Sequence, residues 1–196
     1  HYGSHLNIAH FGSLADDRSL TQVLEVLPQF FTEYPQAKDQ IRIHVYGAQL
    51  DRKSKEWLNQ SSYQDTVIEH GRLEFDPRTG LTGRQRIAIQ MQQSDILLLL
   101  HGNTEWCREY IPSKLYDYYW TNRPIWGLVY ENPQLDTLLS KRESYVSDAK
   151  NPELILNSLK KIYSDWIAKT LPEPSIPAIS VEEAVQQILS EVKNSK

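Results

Sequence analysis

The sequence holds a single cysteine, Cys107. An intrachain disulfide is thereby excluded, and a reducing, cytoplasmic setting is the expectation. Long apolar runs are missing as well. The longest is Ile96-Leu97-Leu98-Leu99-Leu100, the length of a strand and far short of a membrane-crossing helix. Basic residues form no run: Arg52-Lys53, Lys141-Arg142 and Lys160-Lys161 are isolated pairs in a chain of net charge −4. That balance argues against a non-specific nucleic-acid binder, which needs a basic face. The histidines show no metal-ligand spacing and Cys107 has no partner for a thiolate site, so no metal is expected. Neither a Gly-Lys-Ser/Thr triplet nor a Gly-x-Gly-x-x-Gly occurs, which removes the P-loop and the dinucleotide fingerprint. The N-terminus lacks the basic-then-apolar order of a signal peptide. His1 to His5 reads as a tag or linker remnant.

Strand and helix patterns alternate along the rest. Leu6–Phe11, Ile41–Tyr46, Thr66–His70, Ile96–Leu100, Pro124–Val129 and Glu143–Val146 read as strands. Helices are expected over Ser19–Tyr34, Arg52–Gln60, Leu81–Gln93 (capped by Thr79 or Thr82), Pro112–Thr121, Pro133–Ser140 and Pro152–Ala168. A strand apolar on both faces, as Ile96–Leu100 is, belongs inside a parallel sheet. The expected fold is a doubly wound, Rossmann-like α/β domain with a mostly parallel sheet over residues 6–170. Residues 171–179, with Pro172, Pro174 and Pro177, form a stiff linker. Residues 180–196 hold a last helix, Val181–Val192, capped by Ser180. In such a sheet ligands sit at the carboxyl ends of the strands, after Phe11, Tyr46, His70, Leu100 and Val129. A response-regulator receiver would need an acidic pair after its first strand and an Asp after its third. Ala9-His10 and Glu69-His70 supply neither.

Two loops there carry candidate chemistry. In Phe11-Gly12-Ser13-Leu14-Ala15-Asp16-Asp17-Arg18-Ser19, Gly12 lets a ligand approach the backbone and Arg18 offers a full charge to an anion. The plainer reading is an ordinary turn with Ser19 as helix cap. In Arg108-Glu109-Tyr110-Ile111-Pro112-Ser113-Lys114-Leu115-Tyr116-Asp117, Pro112 suits the first turn of a helix. Free N–H groups near Ser113, Lys114 and Leu115, with the Lys114 charge, would seat a diphosphate. Asp117, one turn on, can accept two hydrogen bonds from a vicinal diol such as a ribose. Glu109 could contact another hydroxylated group. The plainer reading makes Glu109 an acid near a helix start and Asp117 a solvated helix residue. His70 and His101 stand at strand ends, where a local hydrogen bond is the commoner role.

These motifs resemble the C-terminal, nucleotide-binding half of GT-B glycosyltransferases, above all the retaining family 4. The resemblance rests on Gly12 with Arg18, on His70-Gly71-Arg72, on the Glu109-to-Asp117 spacing, on Ser113-Lys114-Leu115-Tyr116-Asp117-Tyr118 and on Asn122-Arg123-Pro124-Ile125. It spans about Asn7 to Trp166. Some positions depart from the family pattern. Ser13 replaces a basic residue, Asp117 replaces Glu, Asn122 replaces Gly, and Glu105 shares the loop of Glu109. The resemblance implies a domain binding a nucleotide-diphosphate-sugar donor, in a hexosyltransferase-like enzyme of glycan biosynthesis that retains anomeric configuration without a metal. By it, Arg18, Lys114 and Glu109 would act on the reacting donor. Gly12, Ser13, Arg18, Ser113, Lys114 and Leu115 would hold the diphosphate, Asp117 the ribose, and Gly71 with Arg72 the base. The partner would be an N-terminal acceptor domain of the same protein, through which the whole would touch a membrane peripherally, and this domain alone would be inactive. The alternatives are a GT-B-fold nucleotide-sugar epimerase, whose Gly-Gly-Ser loop the chain lacks, and a non-catalytic α/β binding domain.

Overall fold

A computed structural model describes residues 3–47 and 49–174. Its strands are β1 (Leu6–Phe11), β2 (Ile41–Tyr46), β3 (Val67–Gly71), β4 (Ile96–Leu100), β5 (Ile125–Val129) and β6 (Tyr145–Asp148). Its helices are α1 (Thr21–Leu24), α2 (Leu27–Glu33), α3 (Ala37–Gln40), α4 (Arg52–Asn59), α5 (Gly83–Gln93), α6 (Lys114–Tyr119), α7 (Pro133–Ser140) and α8 (Pro152–Ala168). All the strands pair in parallel, in the order β3-β2-β1-β4-β5-β6. Every residue of β4 and β5 is buried, because helices cover both faces of the sheet. One face packs Leu6, Ile8, Ile43 and Leu98 against α1, α2 and α8. The other packs Ala9, Phe11, Tyr46, Leu97 and Leu99 against Met91 of α5, Leu115 and Tyr118 of α6, and Leu135 and Leu139 of α7.

The expected Rossmann-like class holds, with physical reasons for the local departures. The helix expected over Ser19–Tyr34 is broken into α1 and α2. Pro28 has no N–H to give the Leu24 carbonyl, and its ring crowds that oxygen, so α1 stops at Leu24. The cap position of α1 falls on Leu20, not Ser19, but the Ser19 hydroxyl still accepts the Thr21 N–H at 3.2 Å while donating to Asp51 Oδ1 at 2.7 Å, and Asp51 is the residue that caps α4. The short α3 was not expected. Thr82, paired with Gln85 in a capping box, starts α5. The helix expected over Pro112–Thr121 is regular only at Lys114–Tyr119. The last strand lies two residues later than expected, because Glu143 turns the chain with φ 55°. Asn122 has φ 53°, a conformation that Asn tolerates better than most residues. This explains a Gly-preferring position occupied by Asn. Leu171–Pro174 follow α8 without regular structure. The rest of the expected linker and the helix Val181–Val192 lie outside the described residues.

Gly83 opens α5 where a Cβ would stand 2.2 Å from the Leu73 backbone carbonyl oxygen. Both sides of that contact are backbone, so a methyl group can be accommodated only by moving the loop. Gly83→Ala is expected to destabilise the domain by about 1–3 kcal/mol, read as a lowered urea midpoint. An unchanged midpoint would show that the loop yields freely.

Candidate functional site

The strand order reverses direction between β1 and β4, so the loops after these two strands part and leave a crevice. Gly12 follows β1 directly and Gly102 stands two residues past β4, with φ 114° and 111°, values open chiefly to glycine. Close approach needs them too. A Cβ on Gly12 would lie 3.1 Å from Lys114 Nζ. One on Gly102 would lie 2.6 Å from Cys107 Sγ and 3.1 Å from Arg18 Cγ. The two glycines thus let a lysine and an arginine, far apart in sequence, lie over the crevice.

Lys114 is placed by its helix. Leu115 is fully buried, and the buried Tyr118 hydroxyl accepts the Phe11 N–H at 3.2 Å while donating to the Leu98 carbonyl at 3.2 Å. This ties α6 to both β1 and β4. Burial first, and the Arg18 charge second, push the Lys114 ammonium down to about 8. Among the described residues no carboxylate pairs with Lys114. Arg18 Nε approaches Asp17 Oδ1 loosely, at 3.9 Å, and has no hydrogen-bond partner although buried; the guanidinium also neighbours the Tyr110 hydroxyl.

His10, fully buried near the end of β1, belongs to the same cluster. Its Nδ1 must carry the proton, since it lies 3.1 Å from the Leu98 carbonyl, which can only accept. Its Nε2 is buried without a hydrogen bond of normal geometry. Burial first, and Lys114 next, push its pKa down to about 3, so the ring is neutral. The ring therefore adds no third positive charge to the two cations.

The start of α6 is less open than the sequence suggested. The Pro112 carbonyl accepts from Leu115 N–H at 2.9 Å, and the Ser113 carbonyl from Tyr116 N–H at 3.1 Å. Leu115 thus has no N–H to give a ligand, whereas the amides of Ser113 and Lys114 have no backbone partner among the described residues. Asp117 is exposed and lines a cleft of about 670 Å³ with Arg72, Glu74, Arg84, Met91 and Trp120. The structure therefore brings Asp117 and Arg72 into one cleft, and Gly12, Arg18 and Lys114 into one cluster. The two places are joined through α6, where Lys114 and Asp117 share a face three residues apart. Gly71 ends β3 beside Gly47, whose N–H donates to the Gly71 carbonyl at 2.7 Å. Ser13 is exposed in the first loop. Glu105 and Glu109 are exposed at the two ends of a 3-10 turn, Glu105–Arg108, and make no ion pair with Lys114 or Arg18.

The strand-end histidines are locally engaged. His101 Nε2 donates to the Tyr110 carbonyl at 3.1 Å. The His70 ring stacks on Tyr46 at 4.2 Å, and its Nε2 lies 2.8 Å from His44 Nδ1. Sequence reasoning passed over His10, Gly102 and Tyr118. For His10 a signal existed, a polar residue near the ligand end of an otherwise apolar strand. For Gly102 and Tyr118 the roles depend on contacts across the sheet.

No family model matches the chain, and no curated protein matches it in sequence. Solved structures do match in fold. Anabaena HepE in complex with UDP superposes with a TM-score of 0.66 at 11% identity, over 98% of this chain and 50% of HepE. A UDP-forming α,α-trehalose-phosphate synthase from Burkholderia vietnamiensis gives 0.59 at 8% identity, over 97% of this chain and 40% of the synthase. The pneumococcal O-GlcNAc transferase GtfA in complex with UDP and GlcNAc gives 0.58 at 13% identity, over 98% and 35%. The chain thus spans half or less of the length of these structures.

Proposed function

We propose that this chain is the donor-binding domain of a glycosyltransferase and holds a nucleoside-diphosphate sugar at the crevice between β1 and β4. The observation that carries the reading is the convergence of Arg18 and Lys114, without a carboxylate for Lys114, beside Gly12 and the unbonded amides of Ser113 and Lys114. Two cations held together repel each other, and a desolvated one is costly to keep. Such an arrangement becomes favourable once a multiply charged anion fills it. A diphosphate, with two charged phosphoryl groups, matches two neighbouring cations better than a single carboxylate does. One helical turn on, Asp117 can accept both hydroxyls of a ribose, with the base in the cleft of Arg72 and Trp120.

The chemistry follows from charge. When the bond from the sugar to the diphosphate breaks, negative charge grows on the departing oxygen. Fixed donors aimed at that oxygen stabilise it without reorganising. Lys114, Arg18 and the Ser113 amide would fill that role, and the reading assigns no metal. Retention of configuration is the stereochemistry we assign, on the family 4 resemblance. The acceptor is assigned to a second domain of the same protein, as half-length coverage of the structural neighbours suggests. This domain alone would then bind donor without transferring sugar.

Calorimetric titration with UDP, GDP and ADP tests the reading. One of them is expected to bind at sub-millimolar concentration, with Asp117→Ala weakening it by about tenfold through two lost charge-assisted hydrogen bonds. Absence of binding by all three at millimolar levels, with no effect of Asp117→Ala, ends the reading.

A further inference from the structure

Arg18 is held where its charge is unwelcome. It neighbours Lys114, a like charge, and its Nε approaches Asp17 only at 3.9 Å. Two such cations repel, and an arginine on a free turn would relax by swinging into solvent. Its Cγ instead stays over Gly102, where a Cβ would come within 3.1 Å. The backbone that carries Arg18 therefore has to resist the repulsion.

Asp51, in the loop between β2 and α4, supplies that resistance. Arg18 itself sits in a tight turn, its N–H donating to the Ala15 carbonyl at 2.9 Å. The next two residues both bond to the Asp51 carboxylate. The Ser19 hydroxyl donates to Oδ1 at 2.7 Å, and the Leu20 N–H donates to Oδ2 at 3.3 Å. Ser54 takes the other acceptor positions, its N–H reaching Oδ1 at 3.1 Å and its hydroxyl Oδ2 at 2.6 Å. The loop of Asp51 is tied down in turn, since the Leu50 N–H donates to Glu69 of β3 at 2.8 Å. Ser19, Leu20, Asp51 and Ser54 are all buried, so water does not compete for these bonds. Capping α4 requires only the bond from the Ser54 N–H. The bonds from Ser19 and Leu20 add nothing to that cap. They join the turn of Arg18 to the far side of the sheet.

From this juxtaposition we propose that Asp51 is a positioning residue for the diphosphate: buried away from the ligand, it acts through Arg18, holding that side chain beside Lys114 against their repulsion. The proposal rests on the donor-binding reading above and adds how one of its two cations is kept in place before the ligand arrives. Affinity gains, because the two charges are already brought together when the anion binds.

UDP, GDP and ADP are titrated against the wild type, and the tightest of them against Asp51→Asn, Ser19→Ala and each of these combined with Arg18→Ala. Chemical-shift titration reaches the weak affinities of the double variants. Asparagine offers one acceptor oxygen where the carboxylate has two. Asp51→Asn is expected to weaken binding by roughly 10-fold, and Ser19→Ala by roughly 3-fold. Arg18→Ala weakens binding by itself, and in its presence neither substitution should weaken it further. A damaged α4 cap would not give that non-additivity. Ser19→Ala leaves Asp51 bonded to Ser54, and so carries the test if Asp51→Asn does not fold. If the folded variants bind like the wild type, or lose the same factor with and without Arg18, the proposal is overturned alone and Asp51 is a helix cap. If no nucleoside diphosphate binds the wild type, both readings fall together.

Discussion

Lys114→Met is expected to make the unliganded domain more stable and its hold on a nucleoside diphosphate weaker by about two orders of magnitude. Both effects come from the same placement. The ammonium is largely buried, faces Arg18, and has no carboxylate among the described residues. Methionine keeps the volume and drops the charge, so desolvation and repulsion vanish together. The difference between about 8 and the ordinary 10.5 sets an upper limit of about 3 kcal/mol on that gain. With ligand bound, the ammonium is the charged donor to phosphate oxygens, and its removal leaves those oxygens partly unpaired. Thermal unfolding and calorimetry on the same two proteins measure the pair of effects. A variant that loses stability would show that Lys114 is satisfied in the free domain, contrary to the geometry.

Stability and affinity are further expected to change with pH in opposite directions. Below pH 8 Lys114 is charged in the folded and the unfolded chain, and its burial cost stands at full size. Between about 8 and 10.5 the folded protein has released a proton that the unfolded chain still holds. Stability from this group therefore rises with pH across that window. Nucleotide affinity does the reverse. The charged form binds, so affinity is greatest below pH 8 and falls above it by up to about tenfold per pH unit, until the pKa of the complex is passed. Proton uptake on binding near pH 8.5, seen as a dependence of the calorimetric heat on buffer ionisation enthalpy, is the direct measurement. Lys114→Met should abolish it. His10 cannot imitate the effect, since it is neutral well below this range.

The strands were legible because their signal is local. A run such as Ile96–Leu100 can lie only inside a sheet, and Gly12, Gly47 and Gly71 mark ends that the sequence already showed. Helix boundaries were less legible where one residue interrupts a good pattern. The apolar stripe from Leu20 to Phe31 continues through Pro28, and only the missing N–H breaks it. At the site, Lys114 and Asp117 could be anticipated from the helix that carries them. The free Leu115 amide could not survive, because the tight first turn uses it.

Cys107 gives this protein a built-in chemical clock. Its thiol is the sole sulfhydryl of the chain, buried against Gly102 in the loop between β4 and α6. A thiol reagent can reach it only when that loop parts from β4, so the rate of modification reads the local opening equilibrium of that segment. The fold thus places its one labelling site in the loop that follows β4, at the edge of the crevice.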